Sequence, residues 1–188
     1  MSAALFAVSG VLFVSALFVV AMFNRLVALN RRCDQAGSDI DVQVKQRFDL
    51  IPNLVEIVKG YAGHERGTLE AVMKARQATM AGGSPAAQAQ SDAALGSALG
   101  RLFAVAEAYP DLKASTNFSD LQAELSDIEN KIAASRRFLN SAVNEYNTTR
   151  EQFPANTVAS FFGFESRSND VIASADRGRV EAAPAVRF

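Results

Sequence analysis

A single histidine limits the acid–base and metal chemistry open to this chain. His64 stands before Glu65 as in the zinc helix HExxH, which needs a second histidine one helical turn on, but the sequence continues Arg66-Gly67-Thr68. With one histidine in the whole sequence, the Glu-x-x-His pairs of a carboxylate metal bundle cannot be built, and no Ser-His-Asp set emerges. His64 therefore reads as a polar surface residue beside a turn. Cys33 is the only cysteine, which excludes an internal disulfide and a thiolate metal cage and fits a reducing compartment. It shares a helical face with Leu29, Ala36 and Ile40 and reads as a small apolar core residue. Carboxylates are plentiful: Asp39, Asp41, Asp49, Glu56, Glu107, Asp111, Glu124, Asp127 and Glu129. Asp41 with Lys45 and Glu56 with Lys59 have the spacing of ordinary helical surface pairs, each worth roughly 0.2–0.5 kcal/mol. The scattered glycines form neither a phosphate-cradling loop nor a nucleotide fingerprint. No enzyme, cofactor or metal site is expected.

Polar residues inside apolar stripes are more informative, because a buried polar group needs a partner. Asn53 follows Pro52 and is a candidate to satisfy the carbonyl that the proline ring orphans. Asn130 and Asn140 flank Lys131, Arg136 and Arg137, and Tyr109-Pro110-Asp111 reads as a turn whose ring covers one end of a helical bundle. All of these read as structural.

The elements that would position such residues begin with an apolar run. Ala3 to Phe23 contains no charge, Asn, Gln or Pro, and a helix of that length covers about 30 Å, the hydrocarbon thickness of a bilayer. A cleaved signal peptide would carry Lys or Arg before the run and a small-x-small site after it; here no base precedes it, and Met22-Phe23 occupies the cleavage position. The expectation is a retained single-pass anchor over residues 1–24, with Ala3, Phe6, Gly10, Phe13, Leu17 and Phe23 among its membrane residues. Ser9, Gly10, Ser15 and Ala16 would allow close packing to a second helix. Arg25, Arg31 and Arg32 follow the run, which predicts an outside N-terminus and a cytoplasmic domain.

Beyond the anchor about 165 residues remain, enough for one domain. Lys and Arg total 19 against 20 Asp and Glu, for a net charge of −1, so no basic field exists to hold nucleic acid. Strand signals are weak, and the class is all-α. Leu29, Cys33, Ala36, Ile40, Val44, Phe48, Ile51, Val55, Val58 and Ala62 advance in steps of three or four, which extends the membrane helix into the domain, with Pro52 expected to bend or restart it. Further helices are predicted over Thr68 to Met80 and Ala86 to Ala108. A long helix follows, capped by Asn117, Ser119 or Asp120. Its stripe of Phe118, Leu121, Leu125, Ile128, Ile132, Ser135, Leu139, Ala142, Tyr146, Thr149 and Phe153 has the heptad spacing of a coiled coil. Pro154 to Phe164 is too short to cross a membrane and too apolar for a solvated loop, so Phe161, Phe162 and Phe164 form a candidate interaction surface toward the bundle's end, a neighbouring subunit or lipid. From Glu165 onward the tail lacks periodicity and is expected to be extended or mobile.

DVQVKQRFDLIPNLVEIVKGYAGHE (Asp41 to Glu65), AEAYPDLKASTNFSDLQAELSDIENKIAASRRFLNSAVNEYN (Ala106 to Asn147) and FPANTVASFFGF (Phe153 to Phe164) resemble, in this order and behind an N-terminal apolar helix, the LemA family. The resemblance implies a bacterial inner-membrane protein with an antiparallel helical bundle over residues 25–164 in the cytoplasm and a tail over 165–188, and it brings no established biochemical activity. A related member acts in the formation of magnetosome membranes. Gly37 stands where an aromatic residue is common, Phe23-Asn24 replaces Tyr-Asn, and the tail lacks the usual aromatic-acidic start. The leading functional expectation is a non-enzymatic membrane scaffold, a homo-oligomer in contact with lipid. The alternative is a membrane-tethered sensor or adaptor that takes a small ligand or a membrane or cytoplasmic protein partner.

Overall fold

The structure, a computed structural model, describes residues 2–168, and within them the chain is all-α with no strand. Six helices follow in order: α1 Ser2–Tyr61, α2 Arg66–Met80, α3 Pro85–Glu107, α4 Pro110–Lys113, α5 Thr116–Glu151 and α6 Ala155–Phe162. Two compact units can be distinguished among the described residues, one of residues 2–38 with 137–168 and the other of Asp39–Arg136, and both α1 and α5 contribute to each.

In the Asp39–Arg136 unit, the predicted stripe of α1 is the core. Phe48, Ile51, Leu54, Val55 and Val58 are buried with Leu69 and Val72 of α2, Leu95, Leu99 and Leu102 of α3, Leu112 of α4 and Phe118 and Leu125 of α5. α3 starts where Ser84 Oγ accepts the Ala87 N–H (3.3 Å), with Pro85 at the first helical position. The Tyr109-Pro110-Asp111 turn opens the short helix α4, in which the Lys113 N–H reaches Tyr109 O (3.0 Å) and the Tyr109 ring packs on the core. Asn117, Ser119 and Asp120 lie inside α5, within its first two turns, rather than before it.

Pro52 does not restart α1, which runs through it as one helix. A proline at position 52 leaves the carbonyl of residue 48 without its helical donor. Asn53, the expected partner, is exposed; instead Arg76 Nε, from α2, donates to Phe48 O at 2.8 Å. Another helix thus supplies the donor that the proline removes.

Charged side chains also enter this unit. Arg47 is only 3 % exposed and gives its Nη1 to Glu129 Oε2 of α5 at 2.9 Å, while Arg136 Nη2 meets Asp92 Oδ2 at 2.6 Å. Arg47 Nε and Nη2, Arg136 Nε and Asp92 Oδ1 are buried and make no hydrogen bond among the described residues.

In the other unit, Leu29 and Cys33 of α1 pack on Ala142, Val143 and Tyr146 of α5, and Leu26 packs on Val158 and Ala159 of α6, with Met22, Phe23 and Phe164 around them. The heptad stripe of α5 is buried or half-buried from Phe118 to Thr149. Phe153, its last expected member, falls beyond the end of the helix and is 85 % exposed.

Candidate functional site

α6 is amphipathic over its eight residues. Ala155, Val158 and Ala159 recur at the spacing of one face and are buried, while Asn156, Thr157 and Ser160 face outward. This short helix is too brief to persist alone in water, so its place depends on what holds its ends.

Its C-terminal end is fixed by backbone geometry and by a strap. Gly163 takes φ +72°, a left-handed conformation that glycine adopts without a Cβ clash. The turn brings the Phe164 N–H back to Ala159 O (2.9 Å), closing the helix in the manner of a Schellman motif. The next residues lie along α5, where the side chains of Arg150, Tyr146 and Asn147 hold their main chain. Arg150 Nε donates to Phe164 O (2.8 Å), the Tyr146 hydroxyl donates to Glu165 O (2.8 Å), and Asn147 makes a two-way pair with the Arg167 backbone, giving its Nδ2–H to Arg167 O (2.8 Å) and accepting the Arg167 N–H (3.0 Å). The Arg167 side chain then crosses to α1, donating from Nε to Asn30 Oδ1 (2.7 Å) and from Nη2 to Asp34 Oδ1 (2.5 Å). Residues 164–167 are thereby tied to both long helices. Residues 169–188 of the expected tail lie outside the described residues.

Burial gives this strap a chemical signature. The Cys33 thiol and the Tyr146 hydroxyl beneath it are both pushed above their ordinary pKa values, chiefly by desolvation, which the neighbouring Arg167 partly opposes in each case and Arg150 also opposes at Tyr146. Cys33 is buried and held as the neutral thiol, consistent with a packing role.

Above the strap stands an aromatic cluster. The Phe23 ring meets Phe162 edge-to-face with centroids 4.9 Å apart and meets Phe164 at 5.6 Å, and Phe162 in turn meets Phe161 at 5.0 Å. Such geometries are the favoured ones for aromatic pairs. The three expected surface phenylalanines therefore have different surroundings. Phe164 turns inward onto the cluster of Leu26, Phe162 is 48 % exposed, and Phe161 is 82 % exposed.

Phe23 also ends the apolar run of α1. Before its last two residues, Met22 and Phe23, that run leaves its large side chains uncovered: Phe6 is 77 % and Phe13 66 % exposed, with Val8, Val11, Leu12, Val14, Leu17 and Val20 also bare. Gly10 is exposed in the same stretch, and Ala3 lies in the helix. α1 is long and apolar enough there to cross a membrane, and so large an uncovered apolar surface is unlike that of a water-soluble monomer. His64 is exposed, and among the described residues no group of three or more His, Cys, Asp or Glu is placed to hold a metal.

Sequence reasoning located the aromatic residues but missed the strap. Asn147 and Arg167 carry no local pattern, and their pairing becomes visible only when the chain turns at Gly163.

A model of the LemA family matches residues 36–188. Among curated proteins the chain is similar to the magnetosome protein MamQ of Magnetospirillum gryphiswaldense, 23 % identical over 169 residues covering 76 % of this chain and 62 % of the relative. It is also similar to magnetosome proteins MamQ 1 and MamQ 2 of Paramagnetospirillum magneticum, each 26 % identical over 191 residues covering 84 % of this chain and 70 % of the relative. The chain thus spans less than two thirds of the first relative's length.

Proposed function

Because the chain belongs to the LemA family, as the match over residues 36–188 shows, we propose that it is a membrane-anchored, non-enzymatic scaffold that self-associates at the cytoplasmic face of a bacterial inner membrane. The observation that carries this reading is the bare apolar length of α1, from Phe6 to Val20, joined in one helix to residues that pack a core. The arginines after the run support a cytoplasmic domain. That the relatives are magnetosome proteins supports organisation of a membrane-bound structure as the role. Self-association is tested on the full-length protein in mild detergent by light scattering and crosslinking. A species larger than one chain is expected, and a monomer at every concentration overturns the scaffold. A reporter fused after Phe188 tests the topology: activity confined to the outside reverses the orientation.

A second reading, a tethered sensor or adaptor, is favoured by one feature of the Asp39–Arg136 unit. An open groove of about 630 Å³ is lined by Pro52, Val55, Lys59, Arg66, Leu69 and Met73, apolar at its floor and charged at its rim. Replacing Met73 by Trp places a fluorophore there; a shift of its emission on adding bacterial cytosolic extract of small molecules supports this reading, and silence rejects it.

A further inference from the structure

We propose that Phe161 and Phe162 of α6 insert into the lipid interface beside Phe23, so that the protein meets the membrane through two elements rather than through the α1 anchor alone. The inference rests on the membrane-anchor reading of α1. It commits to lipid as the occupant of an otherwise unpartnered aromatic surface because that surface is continuous with the apolar face of the anchor. Phe23 closes the uncharged run, Phe162 touches Phe23 at 4.9 Å, and Phe161 extends the same ring cluster by another 5.0 Å. If α1 spans the bilayer up to Phe23, rings in contact with Phe23 lie at the depth where hydrocarbon gives way to headgroups. Phenylalanine on a short amphipathic helix is suited to that depth, where its apolar ring is covered while polar neighbours stay wet. Asn156, Thr157 and Ser160, exposed on α6, supply that wet side, and Arg25, exposed two residues beyond Phe23, stands where it can meet anionic headgroups.

The placement of α6 is also prepared rather than free. Gly163 directs Phe164 inward against Leu26, and the strap from Phe164 to Arg167 fixes the end of α6 on α5 and α1. Phe161 is thus held outward, with 82 % of its surface uncovered, while the residues around it are anchored. With the backbone at the end of α6 already fixed, only the side chain's own freedom is left to lose when the ring enters lipid.

The sequence contains no tryptophan, so single Phe→Trp substitutions give unambiguous fluorescence. The full-length chain carrying Phe161→Trp is reconstituted into phosphatidylcholine/phosphatidylglycerol vesicles whose acyl chains are brominated either near the headgroup or near the methyl end. Phe162→Trp serves as a second reporter should the first variant fold poorly, Phe13→Trp marks the anchor, and Phe138→Trp marks a partly exposed site of α5 whose ring lies 5.1 Å under the Arg32 guanidinium. The expected result is a blue-shifted emission for Phe161→Trp that is quenched more by shallow than by deep bromines, with Phe13→Trp quenched most by deep ones and Phe138→Trp unaffected. Emission of Phe161→Trp at the wavelength of Phe138→Trp and without quenching, while Phe13→Trp is still quenched, overturns the proposal and leaves the anchor intact. A blue shift without quenching by either lipid places the ring against protein rather than lipid and likewise overturns it. Loss of quenching at Phe13→Trp as well means that the anchor reading itself has failed.

Discussion

Arg76→Ala should destabilise the protein through a carbonyl on a different helix. Pro52 removes the N–H that would bond Phe48 O within α1, and Arg76 Nε replaces it at 2.8 Å. Loss of a hydrogen bond from a charged donor costs about 1.5–3 kcal/mol, and a buried carbonyl left unpaired keeps the cost near the upper part of that range. The carbonyl is next to core residues, with Phe48 buried among Ile51 and Leu69, so water is poorly placed to take over. Pro52→Ala supplies the control. It restores the backbone donor and relieves a ring clash worth about 3 kcal/mol in a helix interior. In that background Phe48 O has its own helical partner, and Arg76→Ala should then cost less than about 1 kcal/mol, leaving a coupling of about 1–2 kcal/mol. The assay is urea unfolding of the full-length chain in dodecyl maltoside, followed by far-UV circular dichroism, for the four proteins of the cycle. Equal costs of Arg76→Ala with and without Pro52 would refute the reasoning and assign the arginine's contribution to packing of its stem.

Asp92→Ala and Arg136→Met should each cost about 3 kcal/mol, because each leaves the other buried charge unpaired, while the double variant loses less than either; additive losses in chemical unfolding would remove the pair from the account. Asn147→Ala should release residues 164–168, which limited proteolysis or hydrogen exchange will detect as earlier cleavage or exchange after Gly163, with the core of the Asp39–Arg136 unit unchanged. Raised pKa values at Cys33 and Tyr146 mean that the folded state holds both groups neutral at a pH where the unfolded chain has begun to lose their protons. Their contribution is therefore full below about pH 9 and declines as pH rises through and above their ordinary values. Tyr146→Phe should flatten the alkaline fall in melting temperature and leave Tm less pH-dependent there; an unchanged slope would contradict the assignment.

The helical stripes were legible because burial on a helix is a local pattern. Ile51, Val55 and Val58 of α1, or Leu125, Ile128 and Ile132 of α5, show their inward face through spacing alone. The polar contacts were not legible, because their partners lie far along the chain: Arg76 reaches back 28 residues to Phe48, Asp92 and Arg136 are 44 apart, and Arg47 and Glu129 are 82 apart. No periodicity fixes how one helix is set in register with another, so Asn53, adjacent to the proline, was the natural but wrong candidate for its orphaned carbonyl. Arg136 was noticed as part of a basic group, but nothing local distinguished it, paired and largely buried, from Lys131, which forms an exposed pair with Asp127. Phe153 shows the converse failure. It continues the heptad count of α5 numerically, but the helix ends at Glu151, and once helical geometry stops the count no longer specifies a face.

The same distinction bears on why three phenylalanines within four residues behave differently. Phe161 and Phe162 are successive helical residues, so their side chains diverge by about 100° around the axis, and one can touch Phe23 while the other stays bare. Phe164 has left the helix through the left-handed Gly163, which reverses its direction and delivers it to Leu26. A continued α-helix would carry residue 164 about 200° around the axis from residue 162, with no bond from its N–H to Ala159 O and no path for residues 165–167 to lie on α5. The single conformation at Gly163 therefore couples two outcomes. It buries one ring as the strap's first contact, and by ending α6 there it leaves Phe161 as the outermost residue of the cluster grown from Phe23. If that ring is in lipid, the strap that holds Asn30, Asp34, Tyr146 and Asn147 together at α6's base also sets the depth at which the ring enters.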